Sequence, residues 1–283
     1  MSRKDSGFMR HIIACNTARP LETRAPFRLA GQLAGFIDPR IAPVLEKAGL
    51  ADGKGFSLAD PAQLEALGQR LAEDGLYRSH HELFDVIPAE GAAPVARIDR
   101  GALPLFGLLA VGVHLNGLVR KEDGLHLWVG RRAKNKRLDP GKLDHLVAGG
   151  VSAGLTPDAA IRKEAAEEAS LPADMMQQAR QTGTIRYTLD RPEGLRRDLL
   201  ICYDLVLPDS FTPEPADGEV EEFLILPIAE VFRLVRDTNE FKFNVNLVLI
   251  DLFLREGLIP ADSPDAEALR QGLQGHLPPA HAK

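Results

Sequence analysis

Cysteine is scarce in this 283-residue chain: only Cys15 and Cys202 occur, far apart and without histidines at ligand spacing. Neither a disulfide framework nor a zinc site is suggested, and a reducing, cytoplasmic setting is expected. An excess of positive charge is also missing. Lys+Arg 34 against Asp+Glu 40 gives a net charge of -6, so the chain has no basic footprint for nucleic acid. Long hydrophobic runs are absent too. The longest uncharged stretch, Gly101 to Val119, contains a proline, an asparagine, a histidine and several glycines, and reads as a bend followed by a buried strand. A membrane span is not expected, and the four-residue apolar run Ile12–Cys15 is too short for a secretory signal.

At 45% apolar and 26% charged residues, the composition is that of a globular protein able to bury a sizeable core. Residues 1–105 read as a compact N-terminal α+β domain. There Asp60 caps a helix with Pro61 in its first turn and Gly75 past its end, and residues 81–88 alternate as a strand. Residues 106–283 change texture. Two strand-like runs flank the turn Lys121–Gly124, with Asp123-Gly124 at the tip of a hairpin. A basic loop, a short strand ending in Gly149-Gly150, a glutamate-rich helix, further strands, and helices at 228–237 and 244–256 follow. Strands and helices in mixed order predict an α/β sandwich.

The helix should begin at Thr156, an N-cap residue, with Pro157 in the first turn. Glu164, Glu167 and Glu168 then stand at i, i+3 and i+4, about 5–6 Å apart on one face. Ile161, Ala165, Ala166 and Ala169 are expected to form the opposite arc against a sheet, which aims the carboxylates away from it. Like charges so close repel by roughly 1 kcal/mol per pair in water and more near a low-dielectric surface. A solvated acidic face would relieve this with lysines at i+4, whereas Ser170, Leu171 and Pro172 follow here. A hard divalent cation offers other relief, since Mg²⁺ accepts carboxylates together with substrate phosphates. Gly149 and Gly150 would let backbone approach such a ligand closely.

Residues Gly149–Leu171 resemble the Nudix box, G-x5-E-x7-R-E-U-x-E-E-x-G-U with U aliphatic. Three positions depart: Leu155 stands for the early glutamate, Lys163 for the arginine and Ser170 for the last glycine. The wider stretch from about residue 80 to 262 is similar to Nudix domains attached to some thiamine pyrophosphokinases. The resemblance implies a Nudix α/β/α sandwich with a mixed sheet, preceded by the small N-terminal domain. It also implies a diphosphate hydrolase using Mg²⁺ or Mn²⁺, with Glu164, Glu167 and Glu168 as metal ligands. Glu167 and Glu168, with Glu219 and Glu221 from the acidic run Asp217–Glu222, are the expected catalytic carboxylates. Arg132, Arg197, Lys242 and the backbone at Gly149 and Gly150 are the expected diphosphate contacts.

The implied partner is a small-molecule diphosphate, of the thiamine diphosphate type or its oxidised analogues (oxythiamine and oxothiamine diphosphate). Nucleoside diphosphate derivatives such as nucleotide sugars and dinucleotides form the alternative class, and a non-catalytic ligand-binding module is the non-enzymatic one. Isopentenyl diphosphate isomerases share the fold but need a catalytic cysteine, and neither cysteine here stands in such a motif. No membrane or nucleic-acid partner is expected, and a homodimer is compatible with the sequence. Trp128, His114 and His145 read as core residues.

Overall fold

The computed structural model describes residues 7–216 and 218–276; Asp217, one of the acidic run, lies outside them. The first helix, α1 (Met9–Cys15), is followed by α2 (Pro20–Thr23), β1 (Ala25–Leu29), β2 (Gln32–Ile37), α3 (Ala42–Lys47) and β3 (Phe56–Leu58). Next come α4 (Leu64–Glu73), a short hairpin β4 (Leu83–Val86) and β5 (Ala96–Asp99), and α5 (Leu103–Phe106). Asp60 caps the turn before α4 by accepting from the Ala62 amide, and Gly75 follows with φ +73, as the capping residues predict. These elements enclose a core of their own, with Phe27, Leu45, Leu64, Leu71 and Phe106 at its centre.

The remaining strands are β6 (Leu109–Lys121), β7 (Gly124–Arg132), β8 (Leu143–Asp144), β9 (Val147–Gly150), β10 (Arg180–Arg191), β11 (Gly194–Val206) and β12 (Val220–Pro227). They form one seven-stranded sheet in the order β10-β11-β6-β7-β12, with β8 on β7 and β9 on β6. Only β11 and β6 run parallel, so the sheet is mixed. The β6–β7 hairpin closes on the pair Lys121 and Gly124, and Glu122-Asp123 form its turn.

Alternation along the strands separates two apolar layers. On β11, Leu199, Ile201, Tyr203 and Leu205 face α6 (Pro157–Ala169), whereas Leu200 and Cys202 face the helices on the other side. Those helices are α7 (Ile228–Asp237), α8 (Val245–Arg255) and α9 (Ala266–Leu273), joined by α1. Helix, mixed sheet and helices make the expected α/β/α sandwich. The expected domain boundary, between residues 105 and 106, falls inside the last turn of α5, just before β6. Phe8, Met9, Ile12 and Cys15 nevertheless pack in the core of the later layer, so the start of the chain crosses that boundary in space.

Helix α6 starts as its sequence dictates, with the Thr156 hydroxyl accepting from the Ala159 amide. It ends at Ser170 in the left-handed region, φ 51, a conformation that favours glycine. The serine hydroxyl donates to the Glu214 carbonyl, which ties the end of the helix to the segment before β12. The phase of the helix differs from the expected one. Ala160, Ile161, Ala165, Glu168 and Ala169 are buried, while Ala166 is exposed. Positions i, i+4, i+7 and i+8 from Ile161 form the inward stripe of any amphipathic helix, and Glu168 falls within it.

A candidate divalent-cation and diphosphate site

Strand β9 and helix α6 place the box glutamates, and the structure corrects the expectation that all three point away from the sheet. Glu168 is only 8% exposed and accepts from the Ala148 amide at 3.1 Å. Glu164 lies across Gly149, where a Cβ would come within 2.5 Å of its carboxyl carbon, so only glycine admits this packing. Glu167 stays on the exposed surface and binds Lys163 Nζ at 2.6 Å. Lys163 also reaches Glu164 at 3.4 Å, an ammonium contact where the box arginine would form a planar fork.

Burial dominates the electrostatics of the inner pair. It pushes the Glu168 carboxyl up to about 8, against the single favourable hydrogen bond from Ala148 and with Asp144, Glu164 and Glu219 adding repulsion. Glu164 is raised in the same direction, first by burial and then by Glu167 and Glu82, with Lys163 opposing. A carboxylate pair in this state has oxygen donors and repulsion to relieve, and a hard divalent cation fits that donor set. The acidic run before β12 joins it unequally. Glu219 sits close enough to oppose the ionisation of Glu168 and is ion-paired with Lys136. Glu221 accepts from the Lys134 amide at 3.1 Å and Glu222 pairs with Arg131, so these two hold the loop at residues 133–142.

The expected phosphate-binding cations are largely committed elsewhere. Arg132 donates to Asp144 at 2.6 Å and to the carbonyls of Leu138 and Asp139, which ties down the basic loop. Lys242 binds the same Asp144 oxygen at 3.1 Å. Burial opposes charge on Asp144, yet Lys242 and Arg132 hold its carboxyl well below the usual carboxylate range. Arg197 is half-buried in β11, donates to the carbonyls of Ala34 and Gly107, and stacks over Phe36 at 5.1 Å. It fastens β2 and α5 to the sheet and contributes nothing visible to the glutamate cluster. Gly150 differs from Gly149 in its neighbour: a Cβ there would run into the ring of Phe84 from β4.

Sequence reasoning missed Asp144, the buried anion beneath the site. Its signal was an aspartate inside an apolar strand run, where a cationic partner is obligatory. The imidazoles of His114 and His145 meet through their Nδ1 atoms at 2.9 Å, and burial draws His145 down to about 4 and His114 well below its ordinary value. Both are core residues as expected, although His145 Nε2 has no hydrogen-bond partner. With Asp144 they lie close enough together to share a cation. Arg132 and Lys242 already neutralise Asp144, however, and a dication beside those two charges would be repelled. The donor chemistry therefore favours the Glu164–Glu168 pair. Trp128 is 8% exposed and packs in the α6 layer, as expected.

With the fold and the carboxylate geometry in place, the chain can be set beside known proteins. The family described as "NUDIX domain" matches residues 111–246, the span from β6 to the start of α8. Nudix hydrolase 20, chloroplastic, of Arabidopsis thaliana is 39% identical over 194 residues, covering 69% of this chain and 52% of that protein. Nudix hydrolase 24, chloroplastic, of the same plant is 42% identical over 185 residues, 65% of this chain and 50% of that protein. The chain thus spans about half the length of the curated relatives it matches. Among solved structures, DR0079 from Deinococcus radiodurans aligns with a TM-score of 0.47 at 22% identity, covering 59% of this chain and 97% of that one.

Two expectations change at this point. The match is to the Nudix domain and to proteins named as Nudix hydrolases, and it does not single out the thiamine pyrophosphokinase-related branch. The expected cytoplasmic setting is overturned, because both plant relatives are named as chloroplastic. Buried free thiols at Cys15 and Cys202 ask only for a reducing environment, which never distinguished the two compartments. Among the described residues no helix is long and apolar enough to cross a membrane.

Proposed function

We propose that this protein is a divalent-cation-dependent Nudix hydrolase that cleaves a diphosphate linkage in a small molecule. One observation carries the reading: Glu164 and Glu168 converge on β9 at Ala148 and Gly149, and burial raises both carboxyls. Mg²⁺ or Mn²⁺ bound by such a pair supplies charge to neutralise phosphate oxygens and to acidify a water.

The protein's own groups do the rest. Glu164 and Glu168 are the proposed inner ligands, with exposed Glu167 at the mouth of the site as a further ligand or a positioner of water. Glu219 is the proposed additional base, held near Glu168 and oriented by Lys136. Glu221 acts through the loop it holds and not at the phosphorus. Exposed Lys134 on that loop replaces Arg132, Arg197 and Lys242 as the proposed phosphate contact. Such a reaction needs positioning and charge stabilisation more than a covalent nucleophile.

The finer substrate reading, thiamine diphosphate or its oxidised analogues cut to monophosphate and phosphate, is supported by the sequence resemblance over residues 80–262. A panel of thiamine, oxythiamine and oxothiamine diphosphates, nucleotide sugars and dinucleotides, assayed with Mg²⁺ and with a chelator, tests both levels. Turnover of the thiamine compounds first supports the finer reading, and preference for the nucleotide derivatives replaces it. No turnover of any diphosphate with Mg²⁺ or Mn²⁺ would leave a binding module in place of an enzyme.

A further inference from the structure

The loop from Val151 to Leu155 connects the two elements that make the site, β9 and α6. Its own backbone gives little support to that task, because residues 152–154 make no ladder hydrogen bonds with the sheet. The β4–β5 hairpin of the N-terminal segment supplies what is missing. Glu82, immediately before β4, and two residues of β4 engage three consecutive loop residues: Glu82 Oε1 accepts from the Ser152 hydroxyl at 2.6 Å, the Leu83 carbonyl from the Ala153 amide at 2.7 Å, and Asp85 Oδ2 from the Gly154 amide at 2.7 Å. Between them Phe84, 4% exposed, fills the space over Gly150.

Arginines fix the acidic ends of the clamp. Arg100 donates to Glu82 Oε2 at 3.0 Å and Arg97 to Asp85 Oδ1 at 3.1 Å, so neither carboxylate is free to swing away from the loop. Glu82 is also close enough to Glu164 for its charge to oppose ionisation there. The chain of contacts is short: Glu82 fixes Ser152, Ser152 lies three residues from Gly149, and Gly149 carries the Glu164 carboxyl.

We propose that Glu82 is a positioning residue of the diphosphate site, acting through its hydrogen bond to Ser152 to hold Gly149 under Glu164. The proposal rests on the hydrolase reading above. It makes the β4–β5 hairpin a working part of the site, although that hairpin lies before the residues matched as the Nudix domain. Partners that orient metal-binding groups typically contribute about 10- to 100-fold in affinity or rate when removed. Glutamine at position 82 keeps a carbonyl oxygen for Ser152, so the hydrogen bond and not the charge is the quantity at stake.

The test uses the full chain with Glu82→Ala, Glu82→Gln and Ser152→Ala, measuring kcat, substrate KM and Mn²⁺ affinity by titration calorimetry. Glu82→Ala and Ser152→Ala should each lower kcat and weaken Mn²⁺ binding by about 10-fold or more, with KM within about 2-fold. Glu82→Gln should restore most of both. Wild-type kcat and Mn²⁺ affinity in Ser152→Ala, or a Glu82→Gln variant as impaired as Glu82→Ala, would overturn the proposal. Ser152→Ala carries the test if Glu82→Ala fails to fold, since it removes one oxygen from a surface loop. Mn²⁺ titration reads the clamp whether or not any diphosphate is turned over, so failure of the hydrolase reading is seen separately.

Discussion

Replacing Glu168 by glutamine separates what this side chain does for the fold from what it does for the site. In the cation-free protein its carboxyl is 8% exposed and pushed up to about 8 by burial, against an ordinary value near 4.5. The folded protein therefore holds a proton that the unfolded chain releases between those two values. Stability associated with the protonated group is fully present below pH 4.5 and is lost as pH rises through about 8. Between pH 5.5 and 8.0 that loss amounts to about 3 kcal/mol, as an order of magnitude. Glu168→Gln has no such proton to lose and should flatten the pH dependence by that amount while abolishing turnover. Urea denaturation of both proteins at the two pH values, with a chelator present, measures the difference. Added Mg²⁺ at pH 8.0 should stabilise the wild type and leave the variant unchanged. Equal slopes with pH in the two proteins would refute the claim that a buried, cation-starved carboxylate sits at this position.

Gly149→Ala should fold with a modest loss of stability but lose turnover by about 100-fold, because the new Cβ displaces the Glu164 carboxyl; steady-state kinetics check it, and near wild-type activity would contradict the packing. Asp144→Ala should cost about 3–5 kcal/mol in chemical denaturation, since Arg132 and Lys242 would then be buried without their shared anion. Arg197→Met should leave substrate KM unchanged and lower the melting temperature, because its hydrogen bonds go to Ala34 and Gly107 and not to the site. A raised KM would restore Arg197 as a phosphate contact.

Much of the fold was legible because local signals and strand periodicity agreed. The Asp60 and Thr156 caps, the hairpin after Lys121 and the helices after Pro227 and Asn244 all appear within a residue or two of expectation. The location of α1 was not legible, since a seven-residue helix carries too little pattern to show which layer it joins. The box glutamates were identified by type and spacing, but their division into one buried (Glu168), one half-buried (Glu164) and one exposed (Glu167) was not. The sequence reading set alanines against glutamates, whereas helix phase groups Glu168 with Ile161 and Ala165. Arg132, Arg197 and Lys242 were read as free cations because their partners lie 12, 163 and 98 positions away, beyond any local pattern. The β4–β5 clamp was hidden for the same reason: Glu82 and Ser152 are 70 residues apart.

Mn²⁺ titration of the wild type and of Glu164→Gln/Glu168→Gln, by calorimetry at pH 8.0, tests the central claim most directly. The geometry predicts saturable binding in the wild type, accompanied by proton release, and its loss in the double variant while the fold is kept. Equal Mn²⁺ affinity in the two proteins would contradict it and move the cation away from the Glu164–Glu168 pair.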